Sequence, residues 1–189
     1  FGGCRALVRV SFLGDAPSLG SGAIPTSNAG FVFEARVGAT GFESGFPGIS
    51  YVVDVLTYAV GGDSVSITDC DELAAGNLVI PSIIEGKPVT SIAEKAFHQC
   101  SKLTSVSIPS SVTSIGKDTF KYCGGLQNVS IPYGVTSIGY AAFFQCGSLT
   151  NLIIPYGVTS IGYAAFYECG SLTKVTIPSS VTSIGDDAF

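Results

Sequence analysis

The sequence predicts an α/β solenoid, strand-rich with short one-turn helices, built from 23-residue repeats stacked on parallel strands. Three observations predict it. Phe97, Phe120, Phe143, Phe166 and Phe189 recur at a constant step of 23. Cys100, Cys123, Cys146 and Cys169 keep that step, and Pro109, Pro132, Pro155 and Pro178 close a short apolar run in every unit.

Within one unit, Leu103, Val106 and Ile108 form a short strand directed at a core, stopped by Pro109, which has no N–H to give to a ladder. Val112 and Ile115 form a second extended stretch ended by Gly116. Residues 117–123 leave room for about one helical turn carrying Phe120 and Cys123 inward. Such a coil has two open apolar faces that only neighbouring coils can cover, so the units must stack.

Two units are near copies. Residues 131–150 and 154–173 differ only at Phe144/Tyr167 and Gln145/Glu168. At the other end Phe1, Cys4, Leu7, Val10 and Phe12 align in phase with Phe97, Cys100, Leu103, Val106 and Ile108, so residues 1–24 read as a weaker repeat. After Ile24 the period is lost.

Composition narrows the partner. Only 12% of residues are charged against 46% hydrophobic, so hydroxyls must wet the surface, and disorder is not expected. A net charge of -5 with scattered Lys and Arg argues against nucleic acid. No apolar run reaches the roughly 18 residues a membrane span needs. The absence of Met implies a fragment rather than a complete primary translation product.

The pattern C-x-x-L-x-x-V-x-I-P-x-x-V-T-S-I-G-x-x-x-F, read at Cys100 to Phe120, closely resembles the BspA-like (Treponema-pallidum-type) leucine-rich repeat. The resemblance implies an α/β leucine-rich-repeat solenoid with strands lining a concave face. It also implies a secreted or surface-displayed protein that acts in adhesion and protein recognition.

Three segments are expected on this basis. Residues 1–53 read as the last repeat and irregular C-terminal tail of a preceding array. Residues 54–88 read as an N-terminal cap hairpin, since an alternating run from Val55 to Val60 meets Gly61-Gly62-Asp63 before Val65 to Thr68. Residues 89–189 read as the array of 23-residue repeats, truncated at its C-terminal end.

Chemistry is poorly represented. The one histidine, His98, stands at a repeat position filled by Lys121, Phe144 and Tyr167 in the other units, and neither G-x-S-x-G nor C-x-x-C spacing occurs, so no catalytic residue, cofactor or metal ligand is assigned. The repeated cysteines point the same way in successive coils and read as a ladder of buried free thiols, with Cys70 outside it and half exposed. The Thr113-Ser114, Thr136-Ser137 and Thr159-Ser160 pairs read as hydroxyl ladders. The acidic group Asp69, Asp71 and Glu72 reads as a solvated cap loop, with a calcium site as the alternative.

Partner contact is assigned to positions that vary between coils. On the presumed concave strands these are Ser105 and Ser107, Asn128 and Ser130, Asn151 and Ile153, and Lys174 and Thr176. A second set is Tyr133, Tyr140, Tyr156 and Tyr163, which recur at the repeat step and either anchor a partner or pack on one another. The expected partner is a host or neighbouring-cell surface protein or a glycan. A passive spacer or stalk is the alternative.

Overall fold

The computed structural model describes the backbone of residues 9–12 and 32–35, and residues 55–189 in full. The chain divides into two compact units, Phe1–Asp54 and Val55–Phe189. In the first, β1 (Arg9–Phe12) lies parallel to β2 (Val32–Ala35), with Arg9 opposite Val32. That offset is the repeat step of 23, so one more coil step persists past Ile24, where side-chain identity no longer shows it. Phe1, Cys4 and Leu7 of the weaker repeat lie outside the described residues.

The second unit opens with an antiparallel hairpin, β3 (Leu56–Gly61) and β4 (Ser64–Cys70). Next come β5 (Gly76–Val79), β6 (Ile83–Ile84) and β7 (Lys87–Ile92), which pairs parallel to β4 and antiparallel to β6. Each coil then contributes a front strand and a side strand. In order these are β8 (Leu103–Ser107) and β9 (Ser114–Ile115), β10 (Asn128–Ser130) and β11 (Ser137–Ile138), β12 (Asn151–Ile153) and β13 (Ser160–Ile161), and β14 (Lys174–Thr176) and β15 (Ser183–Ile184).

The front strands form two parallel sheets, β5-β8-β10 and β12-β14, and the side strands form one, β9-β11-β13-β15. Every side-strand pairing joins residues one repeat apart, as Ser137 with Ser114 and Ser160. Equivalent residues therefore stack, and the core becomes a set of columns. Phe97, Phe120, Phe143, Phe166 and Phe189 make one continuous row with ring centroids 4.9, 5.1, 5.2 and 5.3 Å apart and planes within 15° of parallel. Offset stacking at this distance adds to the area that each ring buries.

The expected one-turn helices are not there. Among the described residues no helix occurs, and the back of each coil is a chain of turns. Hydrogen bonding explains why. Along residues 95–100 the even-numbered N–H groups close i-to-i−3 turns, Ala96 to Ala93 O, His98 to Lys95 O and Cys100 to Phe97 O. The odd-numbered ones leave the coil and donate to the next, Lys95 to Lys117 O, Phe97 to Thr119 O and Gln99 to Lys121 O.

The same alternation recurs at Asp118, Phe120 and Tyr122, and at Ala141, Phe143 and Gln145. A helix would keep all these donors within the coil. Turning every second N–H outward requires left-handed backbone at two positions per coil: Lys95, Asp118, Ala141, Ala164 and Asp187, and Gln99, Tyr122, Gln145 and Glu168, with φ between 48° and 64°. Non-glycine residues accept that conformation at a cost that the inter-coil ladder offsets.

Candidate recognition surface

The inner columns leave little for chemistry. Cys70, Cys100, Cys123, Cys146 and Cys169 are all free and buried. Each thiol from Cys123 onward donates to a carbonyl of the preceding coil: Cys123 Sγ to Phe97 O at 2.9 Å, Cys146 Sγ to Phe120 O at 3.1 Å and Cys169 Sγ to Phe143 O at 3.2 Å.

Cys70 departs from expectation. It is buried rather than half exposed and heads the ladder, because the hairpin sets it against Cys100, whose Sγ donates to Cys70 O at 3.6 Å. A gap of 30 residues instead of 23 hides this in the sequence. The hydrogen bond with Cys100, followed by burial, holds the Cys70 thiol above the usual range. Burial raises Cys123, and the hydrogen bond with Cys169 together with burial raises Cys146. Such thiols stay protonated and unreactive at neutral pH.

Outside the core, Thr136 Oγ1 donates to Thr113 O, Thr159 Oγ1 to Thr136 O and Thr182 Oγ1 to Thr159 O, so these hydroxyls form a ladder between coils. Asp69 Oδ1 accepts from Cys70 N–H and Asp71 Oδ1 from Leu73 N–H, which commits both carboxylates to their own turns. His98 is half-buried, edge-on to Tyr122 at 5.4 Å. Among the described residues no group of three His, Cys, Asp or Glu side chains could hold a metal ion. No helix among the described residues is long and apolar enough to cross a membrane.

A hollow of about 450 Å³ beside Phe166, Cys169, Leu172, Val175 and Phe189 is lined by the columns that the next coil covers elsewhere. It is core surface, not a designed pocket.

The front strands bring the expected contact residues into two rows. Asn77, Ser105 and Asn128 are register partners, as are Val79, Ser107 and Ser130; Asn151 pairs with Lys174 and Ile153 with Thr176. Ser105 is half-buried and its Oγ donates to Asn77 Oδ1 at 2.9 Å, whereas Ser107, Asn128, Ser130, Asn151, Lys174 and Thr176 are exposed. Ile153 is 75% exposed, an apolar side chain among polar ones. Asn77 and Val79 extend both rows and escape sequence phasing because they precede their partners by 28 residues rather than 23.

The tyrosines separate into two kinds. Tyr140 and Tyr163 stack at 5.4 Å with planes 17° apart, and Lys117 Nζ lies 5.6 Å from the centre of the Tyr140 ring. A hydrogen bond to the Asp187 carboxylate raises the pKa of the Tyr163 hydroxyl. Phe144 and Tyr167 stack likewise at 5.3 Å. Among the described residues Tyr133 and Tyr156 have no ring partner, and they are 82% and 69% exposed.

A family profile described as a BspA type leucine rich repeat region matches residues 76–189 in six copies. The chain belongs to this family. Among solved structures, the T. pallidum leucine rich repeat protein is 39% identical with a TM-score of 0.67, covering 71% of this chain and 64% of its own. A leucine-rich repeat protein from Bacteroides ovatus is 33% identical with a TM-score of 0.63, covering 74% of this chain and 38% of its own.

This BspA-type chain thus spans less than two thirds of either relative. The pneumococcal vaccine antigen PcpA, 24% identical with a TM-score of 0.56 over 72% of this chain and 40% of its own, shares the fold alone. No curated protein matches the chain.

Proposed function

We propose that this chain is a non-catalytic recognition module of a bacterial-type secreted or surface protein, and that it holds a host or neighbouring-cell surface protein on its front strands. One observation carries the reading. The core columns repeat Phe, Cys and Val without change, while the outward front positions run Ser105 and Ser107, Asn128 and Ser130, Asn151 and Ile153, Lys174 and Thr176. Scaffold constancy beside surface variation is what a repeat binder needs.

Ile153, exposed and ringed by amide and hydroxyl groups, has the character of a central apolar anchor with a polar rim. Within the same reading, residues 1–53 end a preceding array, residues 54–88 cap the second one and residues 89–189 form it.

The test is saturable binding of the chain to intact cells, followed by the Asn151→Ala, Ile153→Ala, Lys174→Ala triple variant. Loss of binding with an unchanged melting temperature supports the reading. Binding that survives the triple change removes the front strands from it. The near identity of residues 131–150 and 154–173 favours a second reading, a passive spacer, which an absence of any saturable binding would support.

A further inference from the structure

Two tyrosine pairs occupy the same duplicated coils at the same step, yet only one pair is closed. Tyr140 and Tyr163 cover each other's faces; Tyr133 and Tyr156 leave theirs to solvent. The backbone under the open pair is tightly fixed. Val135 N–H donates to Pro132 O and Val158 N–H to Pro155 O, each at 3.1 Å, which places each tyrosine at the second position of a four-residue turn that begins with proline.

The turns are seated on one another. A Cβ at Gly157 would lie 2.5 Å from Tyr133 O, and one at Gly134 would lie 3.1 Å from Ser110 O, so glycine after each tyrosine lets the corners close up. Two exposed rings therefore stand one coil apart on a rigid corner. Such preorganisation lowers the ordering cost of binding.

Charge decides what could lie there. Residues 126–140 and 149–163 contain no Asp, Glu, Lys or Arg, and Lys174, on the next coil, is the charge that the front-strand register sets opposite Asn151. The exposed groups near the corner in sequence include the amides of Asn128 and Asn151 and the hydroxyls of Ser130, Thr136 and Thr159, with Ile153. An acidic, basic or phosphorylated partner finds no counter-charge in these segments.

A neutral partner with flat C–H faces and many hydroxyls fits both halves of this surface, the rings for its faces and the amides and hydroxyls for its edges.

We propose that the Tyr133–Tyr156 corner binds a neutral, linear oligosaccharide that runs along the solenoid axis with one sugar over each ring. This corner adjoins the front strands and shares Asn128, Ser130 and Asn151 with them, so the tyrosine variants, which leave those residues in place, distinguish its failure from that of the protein-binding reading.

The experiment titrates the full chain, ring-labelled at tyrosine, with neutral linear cello- and chito-oligosaccharides from di- to hexasaccharide, and screens the same chain on an array of neutral linear glycans. Saturable shifts confined to two tyrosine ring systems are expected, with affinity rising from the disaccharide upward. The comparison variants are Tyr133→Ser with Tyr156→Ser, serine being what the flanking coils carry at Ser110 and Ser179, and Tyr140→Ala with Tyr163→Ala.

The first double variant should weaken binding about tenfold, or about 1.4 kcal/mol, with melting unchanged. The second should leave binding intact. No binding anywhere on the array, binding that survives the Tyr133/Tyr156 change, or shifts of these rings with protein ligands but not with sugars would overturn the proposal.

Discussion

The inside and the outside of this solenoid use the same 23-residue step to opposite ends. Inside, the rings of Phe120, Phe143 and Phe166 stack on neighbours above and below, and the thiols of Cys123, Cys146 and Cys169 donate to the coil before, so each position depends on more than its own coil. Outside, Ile153, Tyr133 and Tyr156 recur or vary in the same columns, yet their side chains face water. Periodicity therefore identifies the column; only packing decides whether it is structural or free to meet a partner.

The largest break in this contrast is Phe143→Ala. It opens the middle of the aromatic row and removes stacking on both Phe120 and Phe166, at an expected cost of about 3–5 kcal/mol in urea unfolding. A smaller loss would mean that the coils repack independently and the row is not a shared core.

The thiol ladder gives the next effect, and its sign follows from burial. Cys123 is held above the ordinary thiol range in the folded chain, whereas an unfolded thiol ionises at its usual value of about 8.5. Its contribution is full below that pH. Above it, up to about 1.4 kcal/mol is lost per pH unit as the unfolded state sheds its proton. Urea unfolding under reducing conditions at about pH 7 and about pH 10 should show the decline, and Cys123→Ala should make it shallower. An identical slope in both proteins would contradict the assignment.

The smallest effect tests the two near-identical coils. Their two differences face each other: Phe144 stacks on Tyr167, and Gln145 Nε2 donates to Glu168 Oε2. Perfect duplication to glutamate would set like charges one coil apart. Gln145→Glu should therefore cost about 0.5 kcal/mol, with part of the loss recovered by salt. A salt-independent change would show that charge is not the cause.

Much of this was legible beforehand. Phe, Cys, Leu and Pro at constant phase reveal the coils, because a buried column tolerates few residue types. The back turns were not legible. Their form rests on carbonyls 22 residues away, as Phe97 N–H on Thr119 O, and left-handed backbone at Tyr122 or Gln145 has no compositional mark. Cys70, Asn77 and Val79 were missed for a simpler reason: the hairpin and β5 enter the stack at offsets of 30 and 28, which a 23-residue ruler passes over. The tyrosine sets were visible as a choice between packing and contact; the structure shows packing for Tyr140 and Tyr163, whereas Tyr133 and Tyr156 are exposed.

Stacking of consecutive coils in register is the claim on which the rest depends. Ring-to-ring nuclear Overhauser contacts in the chain selectively labelled at phenylalanine test it most directly. A consecutive series from Phe97 through Phe120 and Phe143 to Phe166 is the expected result, and Phe120 and Phe143 without contact to each other would contradict it.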